Sequence, residues 1–178
     1  MRIFGFAGFS GSGKTTLIEK LILRLVTQGL RVSVIKHAHH AFDVDKPGKD
    51  SHRHREAGCG EVLVTSSCRW ALMHELRGAP EPSLLDLAGA LSPCDLALVE
   101  GFKREAIPKL EVHRAANPGA QWLFPHDPHV VGIATDAPVQ TALPVFRLDD
   151  VAAIAELVCT RALRPAGCGP RLVANAPR

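Results

Sequence analysis

Gly8-Phe9-Ser10-Gly11-Ser12-Gly13-Lys14-Thr15 fits G-x-x-x-x-G-K-[ST] without a mismatch, and what flanks it decides how the chain folds. Before it, Ile3 to Ala7 is a short apolar run that stops at glycine. After it, Leu17, Ile18, Leu21, Ile22, Leu25 and Val26 recur at intervals of three and four, which marks a helix with one buried stripe. A strand, a glycine loop and a helix in that order are the context this motif requires. A chance match in a chain of this length has odds on the order of 1%.

The spacing has a physical cause. Successive backbone N–H groups must curl around a phosphate, so glycine is needed wherever the chain takes positive φ or meets an oxygen closely. Gly8, Gly11 and Gly13 supply that freedom. The helix that starts near Lys14 adds its unpaired N–H groups and the positive end of its dipole beneath the β-phosphate. Lys14 is then expected to reach the β- and γ-phosphates, and Thr15 to place its hydroxyl on Mg²⁺. Gly8, Ser10, Gly11, Ser12, Gly13, Lys14, Thr15 and Thr16 form the expected binding segment for a nucleoside triphosphate.

Outward from the loop, strand and helix signals alternate. Gly29 is placed to end the first helix, and Val32 to Ile35 is the next strand, which completes a βαβ opening. Val62 to Thr65 and Trp70 to Met73 read as strands, and Ser83 to Leu91 reads as a helix entered through Pro82. Leu96 to Val99 is a continuous apolar run, as expected of a strand covered on both faces. Leu110 to His113 is shorter and more polar, and an edge or protruding position is expected for it. Val130 to Ala134 is another buried strand, and Val151 to Leu163 a closing helix capped by Asp149 or Asp150. The pattern predicts an α/β fold of the P-loop NTPase kind, a mostly parallel central sheet flanked by helices, with its ligand at the carboxyl ends of the strands.

Glu100 ends the run Leu96-Ala97-Leu98-Val99. A carboxylate there belongs beside the phosphate loop, where it can hold the Mg²⁺ shell or a water, so Glu100 is the candidate catalytic and metal-side acid together with Thr15.

At 178 residues, with 46% hydrophobic and 22% charged residues, the chain suits one globular domain. That domain is expected over residues 1 to 164, followed by a disordered tail from 165 to 178 that lacks apolar periodicity. No apolar run approaches the ~20 residues of a membrane span, and the chain leads straight into the glycine loop. A soluble, cytoplasmic protein is expected. Five cysteines with no C-x-x-C pair suit a reducing compartment. The net charge of +3 fits an anionic ligand and, without a basic block interleaved with aromatics, does not point to nucleic acid.

Five of the nine histidines lie between positions 37 and 54, in Lys36-His37-Ala38-His39-His40 and the Asp-, Lys- and Arg-rich stretch that follows. Three readings stay open. The stretch is a metal site for Zn²⁺ or Ni²⁺, a cradle for an anionic ligand built on Lys36, Lys49, Arg53 and Arg55, or a solvated polar loop.

Taken together, these strings resemble the protein B family of molybdopterin-guanine dinucleotide biosynthesis, the adaptors of the molybdenum cofactor pathway. The resemblance runs from Arg2 to about Leu163. It rests on Gly8 to Thr16, on Lys36 to His40, on Phe42-Asp43-Val44-Asp45-Lys46-Pro47-Gly48-Lys49-Asp50-Ser51, on Arg55 to Gly58, on Leu98 to Lys103, on Pro108 to Arg114 and on Ala134-Thr135-Asp136. Ala41 and His52 depart from it, where the family often has aspartate and tyrosine. The resemblance implies a GTP-binding homodimer with weak hydrolysis that assists the guanylyltransferase attaching GMP to molybdopterin, with molybdopterin itself a possible ligand. It implies that Thr135 and Asp136 lie near the base, and that the stretch from Asp43 to Arg55, including Asp45, faces the γ-phosphate or the pterin phosphate. The guanine-reading Asn-Lys-x-Asp of other GTPases is absent, since the only asparagines are Asn117 and Asn175. Two rival readings are a small-molecule kinase and a metal-delivery GTPase that uses the His-rich loop.

Overall fold

The computed structural model describes residues 1–38, 42–117 and 121–165. The expectations for His39, His40, Ala41, Cys168 and the segment 166–178 lie outside these residues. Twelve elements follow one another among the described residues: β1 (Arg2–Ala7), α1 (Lys14–Thr27), β2 (Val32–Lys36), α2 (Asp50–Glu56), β3 (Glu61–Thr65), β4 (Trp70–His74), α3 (Leu84–Ala90), β5 (Leu96–Glu100), β6 (Lys109–His113), β7 (Val130–Thr135), β8 (Val145–Phe146) and α4 (Val151–Arg161). They fall into two compact units. Met1–His37 and the chain from Leu84 onward make one, and Ala38–Ser83 makes the other.

The first unit is built on a six-stranded sheet in the order β2-β5-β1-β6-β7-β8, every neighbouring pair parallel. β1 therefore sits between β5 and β6, and the loop that leaves its carboxyl end enters the crevice where ligands bind in such sheets. Side chains alternate between the two faces. Phe4, Phe6, Leu98, Leu110 and Val112 pack with Leu17, Leu21 and Leu25 of α1 and with Ile154 and Val158 of α4. Ile3, Ile35, Ala97 and Val99 pack with Leu84 and Ala88 of α3 and with Ile107 on the other face. With both faces covered, β5 is buried at every residue, as its continuous apolar run requires.

Local signals account for the helix ends. α1 stops where Gly29 takes a φ of +85°, and Leu30 N–H reaches back to Leu25 O at 3.1 Å. Of the two candidate caps for α4, Asp150 is the one used, accepting from Ala153 N–H at 3.2 Å. α4 ends at Arg161 because Leu163 turns away to bridge Ile3 in an antiparallel contact.

β6 corrects the sequence reading. It is not an edge or protruding strand but an interior one, paired with β1 and β7 and buried at all five residues. Its polarity misled because Lys109, Glu111 and His113 share one face, and the segment from Trp122 to Asp127 covers each in turn. Lys109 Nζ donates to Asp127 at 2.7 Å, Glu111 accepts from the N–H groups of Leu123 and Phe124 at 2.8 Å each, and His113 stacks on Trp122 with ring centroids 3.9 Å apart. Polar groups can be buried at this cost only when they are paired.

The second unit holds α2 and the antiparallel hairpin β3–β4, a sheet separate from the first. Sequence reading missed α2 because its seven residues, Asp50 to Glu56, bury no side chain and so carry no apolar period. It also missed β8, which is only two residues long.

Candidate functional site

The carboxyl ends of β1, β2, β5, β6 and β7 converge around the phosphate loop. Gly8 has a φ of +145°, and a Cβ there would collide with the carbonyl oxygen of Val112 on the neighbouring strand. Gly13 takes a φ of +90° as the N-cap of α1, with no side chain capping the helix. The free N–H groups at this helix start thus remain turned to the loop's hollow.

Lys14 folds over the loop. Its Nζ donates to Phe9 O at 2.8 Å and to Ser12 Oγ at 3.4 Å, and Ser12 is buried. Burial pushes the Lys14 pKa below the ordinary lysine value; the Glu100 carboxylate opposes that, and the Lys103 and Lys36 ammonium groups add to it. Thr15 Oγ1 donates to Glu100 Oε1 at 2.9 Å. Glu100 is buried and also pairs with Lys36 Nζ, 3.5 Å from its other oxygen, as the parallel register of β2 and β5 dictates. Gly101, with a φ of +105°, lets the chain turn there against His37, whose carbonyl oxygen would stand 3.0 Å from a Cβ at that position. The hydroxyl of Thr15 and the carboxylate of Glu100 are hard oxygen donors side by side, a set that fits Mg²⁺.

On the other side of the helix start lies a cleft of about 660 Å³, open at its mouth and walled by Gly13, Thr16, Lys20, Arg114, Asp136 and Asp149 among others. Thr135 and Asp136, at the end of β7, are thereby brought to the same cleft as Gly13 and Thr16. Asp136 Oδ1 accepts from Ala115 N–H at 2.6 Å, and Thr135 Oγ1 from Ala137 N–H at 2.9 Å. Asn117 Nδ2 donates to Ser10 O at 2.7 Å and so ties the chain after β6 to the phosphate loop.

Several residues here escaped sequence reading. Arg114 follows β6 and stands so close to Gly13 that a Cβ there would lie 3.1 Å from its guanidinium. Arg147 and Asp149, paired at 3.0 Å, line the cleft from the chain after β8. Their one available signal is position, each falling just after a strand's carboxyl end.

Asp45, Lys49, Arg53 and Arg55 belong to the second unit. Within it Arg55 is a hub. It pairs with Asp43 at 2.8 Å, Asp45 at 3.4 Å and Glu75 at 2.5 Å, and these carboxylates raise its pKa further. Asp45 also accepts from Ser51 Oγ at 2.8 Å. Lys49 is the N-cap of α2, and Arg53 is exposed on it. Arg55 thus holds its own unit together while Lys49 and Arg53 face solvent. Among the described residues, no three or more His, Cys, Asp or Glu side chains are grouped to hold a metal, and no helix is long and apolar enough to cross a membrane.

Comparison with known proteins agrees with this geometry. The family model for molybdopterin guanine dinucleotide synthesis protein B, MobB, matches residues 3–136. The molybdopterin-guanine dinucleotide biosynthesis adapter protein of Escherichia coli K12 is 42% identical over 158 residues, covering 88% of this chain and 90% of its own length. The adapter protein of that name from Haemophilus influenzae is 44% identical over 156 residues, covering 84% and 85%. Among solved structures, Bacillus subtilis MobB superposes with a TM-score of 0.71 at 25% identity, covering 91% of this chain and 98% of that one. A phosphate loop between β1 and α1, an acid at the end of β5, a parallel sheet of this order and these relatives agree on one assignment: the chain belongs to the MobB family.

Proposed function

We propose that this chain is a GTP-binding adapter of molybdopterin-guanine dinucleotide biosynthesis, working in the cytoplasm beside the guanylyltransferase that attaches GMP to molybdopterin. The observation that carries the nucleotide reading is the contact of Thr15 with Glu100 at 2.9 Å, at a helix start that no side chain caps. Thr15 and Glu100 would hold Mg²⁺ there, and the ion would offset charge on the β- and γ-phosphates. Lys14 exchanges its two contacts within the loop for phosphate oxygens. The nucleoside then extends into the cleft past Thr16.

Support for guanine comes from Asp136. One of its oxygens is held by Ala115, which fixes the carboxylate at the cleft wall. A carboxylate accepts from the N1–H and N2–H₂ of guanine, whereas adenine presents an acceptor at N1. The pterin ligand carries a phosphate, and the basic surface of Lys49 and Arg53 has the charge to meet it.

Hydrolysis by the chain alone is slow in this reading, below about one turnover per minute. The arginine that accelerates phosphoryl transfer, worth ~10³ to 10⁵ in rate, must be free to meet developing charge. Arg55 is instead committed to three carboxylates. Binding therefore matters more than turnover, which suits an adapter.

The chain is further proposed to act as a homodimer. The support is the β3–β4 hairpin, where Leu63 stands opposite Leu72 with Trp70 beyond it, and all three expose more than two-fifths of their surface. A two-stranded ribbon with apolar residues on one face is what a second copy can cover across a two-fold axis.

The test is single-turnover hydrolysis of radiolabelled GTP with Mg²⁺, alone and with guanylyltransferase and molybdopterin added. A slow rate alone is expected. Turnover of several per second by the isolated protein would overturn the adapter reading in favour of an enzyme with its own catalytic groups.

A further inference from the structure

The segment after β5 returns to the phosphate loop and brings a lysine with it. Lys103 Nζ sits 4.5 Å from the centroid of the Phe9 ring, and Phe9 is the second residue of the loop. The backbone beneath is fixed from behind. Lys109, buried in β6, donates from Nζ to the carbonyl oxygens of Lys103 and Glu105 at 2.8 Å each, its charge balanced by Asp127 at 2.7 Å. On the near side, the tight turn at Gly101 against His37 sets where the segment begins. Lys103 is therefore half-buried on an anchored backbone while its long side chain remains adjustable.

Charge at this end of the loop is unbalanced. Lys14 Nζ and Lys103 Nζ both lie against Phe9, and the nearby Glu100 carboxylate is taken by Lys36. Lys103 forms no ion pair with a described residue; it lies against the face of Phe9 instead. A lysine over an aromatic ring is held weakly and can leave for a better partner. What such a cluster lacks is a multiply charged anion.

Its position specifies which anion. The nucleoside cleft opens beside Gly13, Thr16 and Asp136, and Phe9 takes no part in its walls. Lys103 stands beside the start of the loop, at Phe9, and is likewise not among the residues that wall the cleft. In this motif the loop lysine spans the β- and γ-phosphates, so a cation placed beyond it, away from the base, meets the γ-phosphate.

We propose that Lys103 moves from Phe9 onto the γ-phosphate and makes the site prefer a nucleoside triphosphate over the diphosphate. This rests on the nucleotide reading above and deepens it.

The experiment is calorimetric titration with Mg²⁺ of a non-hydrolysable GTP analogue and of GDP, for the unaltered chain, Lys103→Ala and Lys103→Arg, with thermal melting to confirm that each is folded. Lys103→Ala is expected to weaken the triphosphate about tenfold or more and GDP less than about twofold. Lys103→Arg, which keeps the charge, recovers most of the loss. Equal weakening of both nucleotides, or none, overturns the proposal while leaving the nucleotide reading intact. Failure of the unaltered chain to bind either nucleotide overturns both.

Discussion

Thr15 Oγ1 and Glu100 Oε1 lie 2.9 Å apart although 85 residues separate them in the chain. β1 and β5 pair in parallel register, which sets Phe6 against Glu100 and carries the carboxylate to the loop that follows β1. Glu100→Gln keeps the side chain's shape and removes its charge. The variant should bind GTP without Mg²⁺ about as well as the unaltered chain and lose most of the affinity that Mg²⁺ adds. Titrations with Mg²⁺ and with EDTA measure this; an unchanged Mg²⁺ gain would remove Glu100 from the metal.

Lys14→Ala should leave the fold intact, because among the described residues Nζ hydrogen-bonds to Phe9 O and Ser12 Oγ of the loop itself and Lys14 is not part of the apolar core. A charged hydrogen bond is worth about 1.5 to 3 kcal/mol, so at least a tenfold loss of GTP affinity is expected. Fluorescent-nucleotide competition reads the affinity, and the melting temperature should stay put.

The glycine loop between β1 and α1 was legible in the sequence because its signals are local: three glycines, a lysine, a threonine and a helix that starts at that lysine. Glu100 was legible because an acid closes an uninterrupted apolar run. Arg114 and Asn117 were not, since their place against Gly13 and Ser10 arises from β6 lying beside β1, and pairing order leaves no mark on composition. β6 itself was misread for a related reason. Lys109, Glu111 and His113 look like a solvated face until the segment from Trp122 to Asp127 is laid over them. α2 was invisible because a helix that buries no apolar side chain has no periodic apolar signal.

The homodimer proposal places Leu63 and Leu72 at a covered face. Leu63→Glu with Leu72→Glu should leave the first unit folded and shift the protein to a monomer, because burying two unpaired carboxylates costs several kcal/mol. Sedimentation at micromolar concentration should give about twice the chain mass for the unaltered protein and the chain mass for the variant. A dimer unmoved by both charges would place the interface elsewhere.

Glu111 provides a pH test. Burial raises its pKa above the ordinary 4.5, despite the N–H groups of Leu123 and Phe124 and the neighbouring His113, which pull the other way, and Asp127 adds to the rise. The folded state then binds the proton more tightly than the unfolded state. Its contribution is most favourable below the ordinary carboxylate pKa and declines as pH rises through the elevated one. Denaturant melts of the unaltered chain and Glu111→Gln should show the difference in stability shifting toward the variant as pH goes from 4 to 7. A shift toward the unaltered chain would contradict the sign.

Calorimetric titration of the unaltered full chain with GTP and with ATP, each with and without Mg²⁺, tests most directly whether this MobB-family chain is a guanine-nucleotide-binding adapter. The account predicts that GTP binds stoichiometrically and at least about tenfold more tightly than ATP, as one carboxylate reading two guanine donors at Asp136 allows. It also predicts that Mg²⁺ strengthens binding through Thr15 and Glu100. Equal affinity for the two nucleotides, or no Mg²⁺-dependent gain, would contradict it.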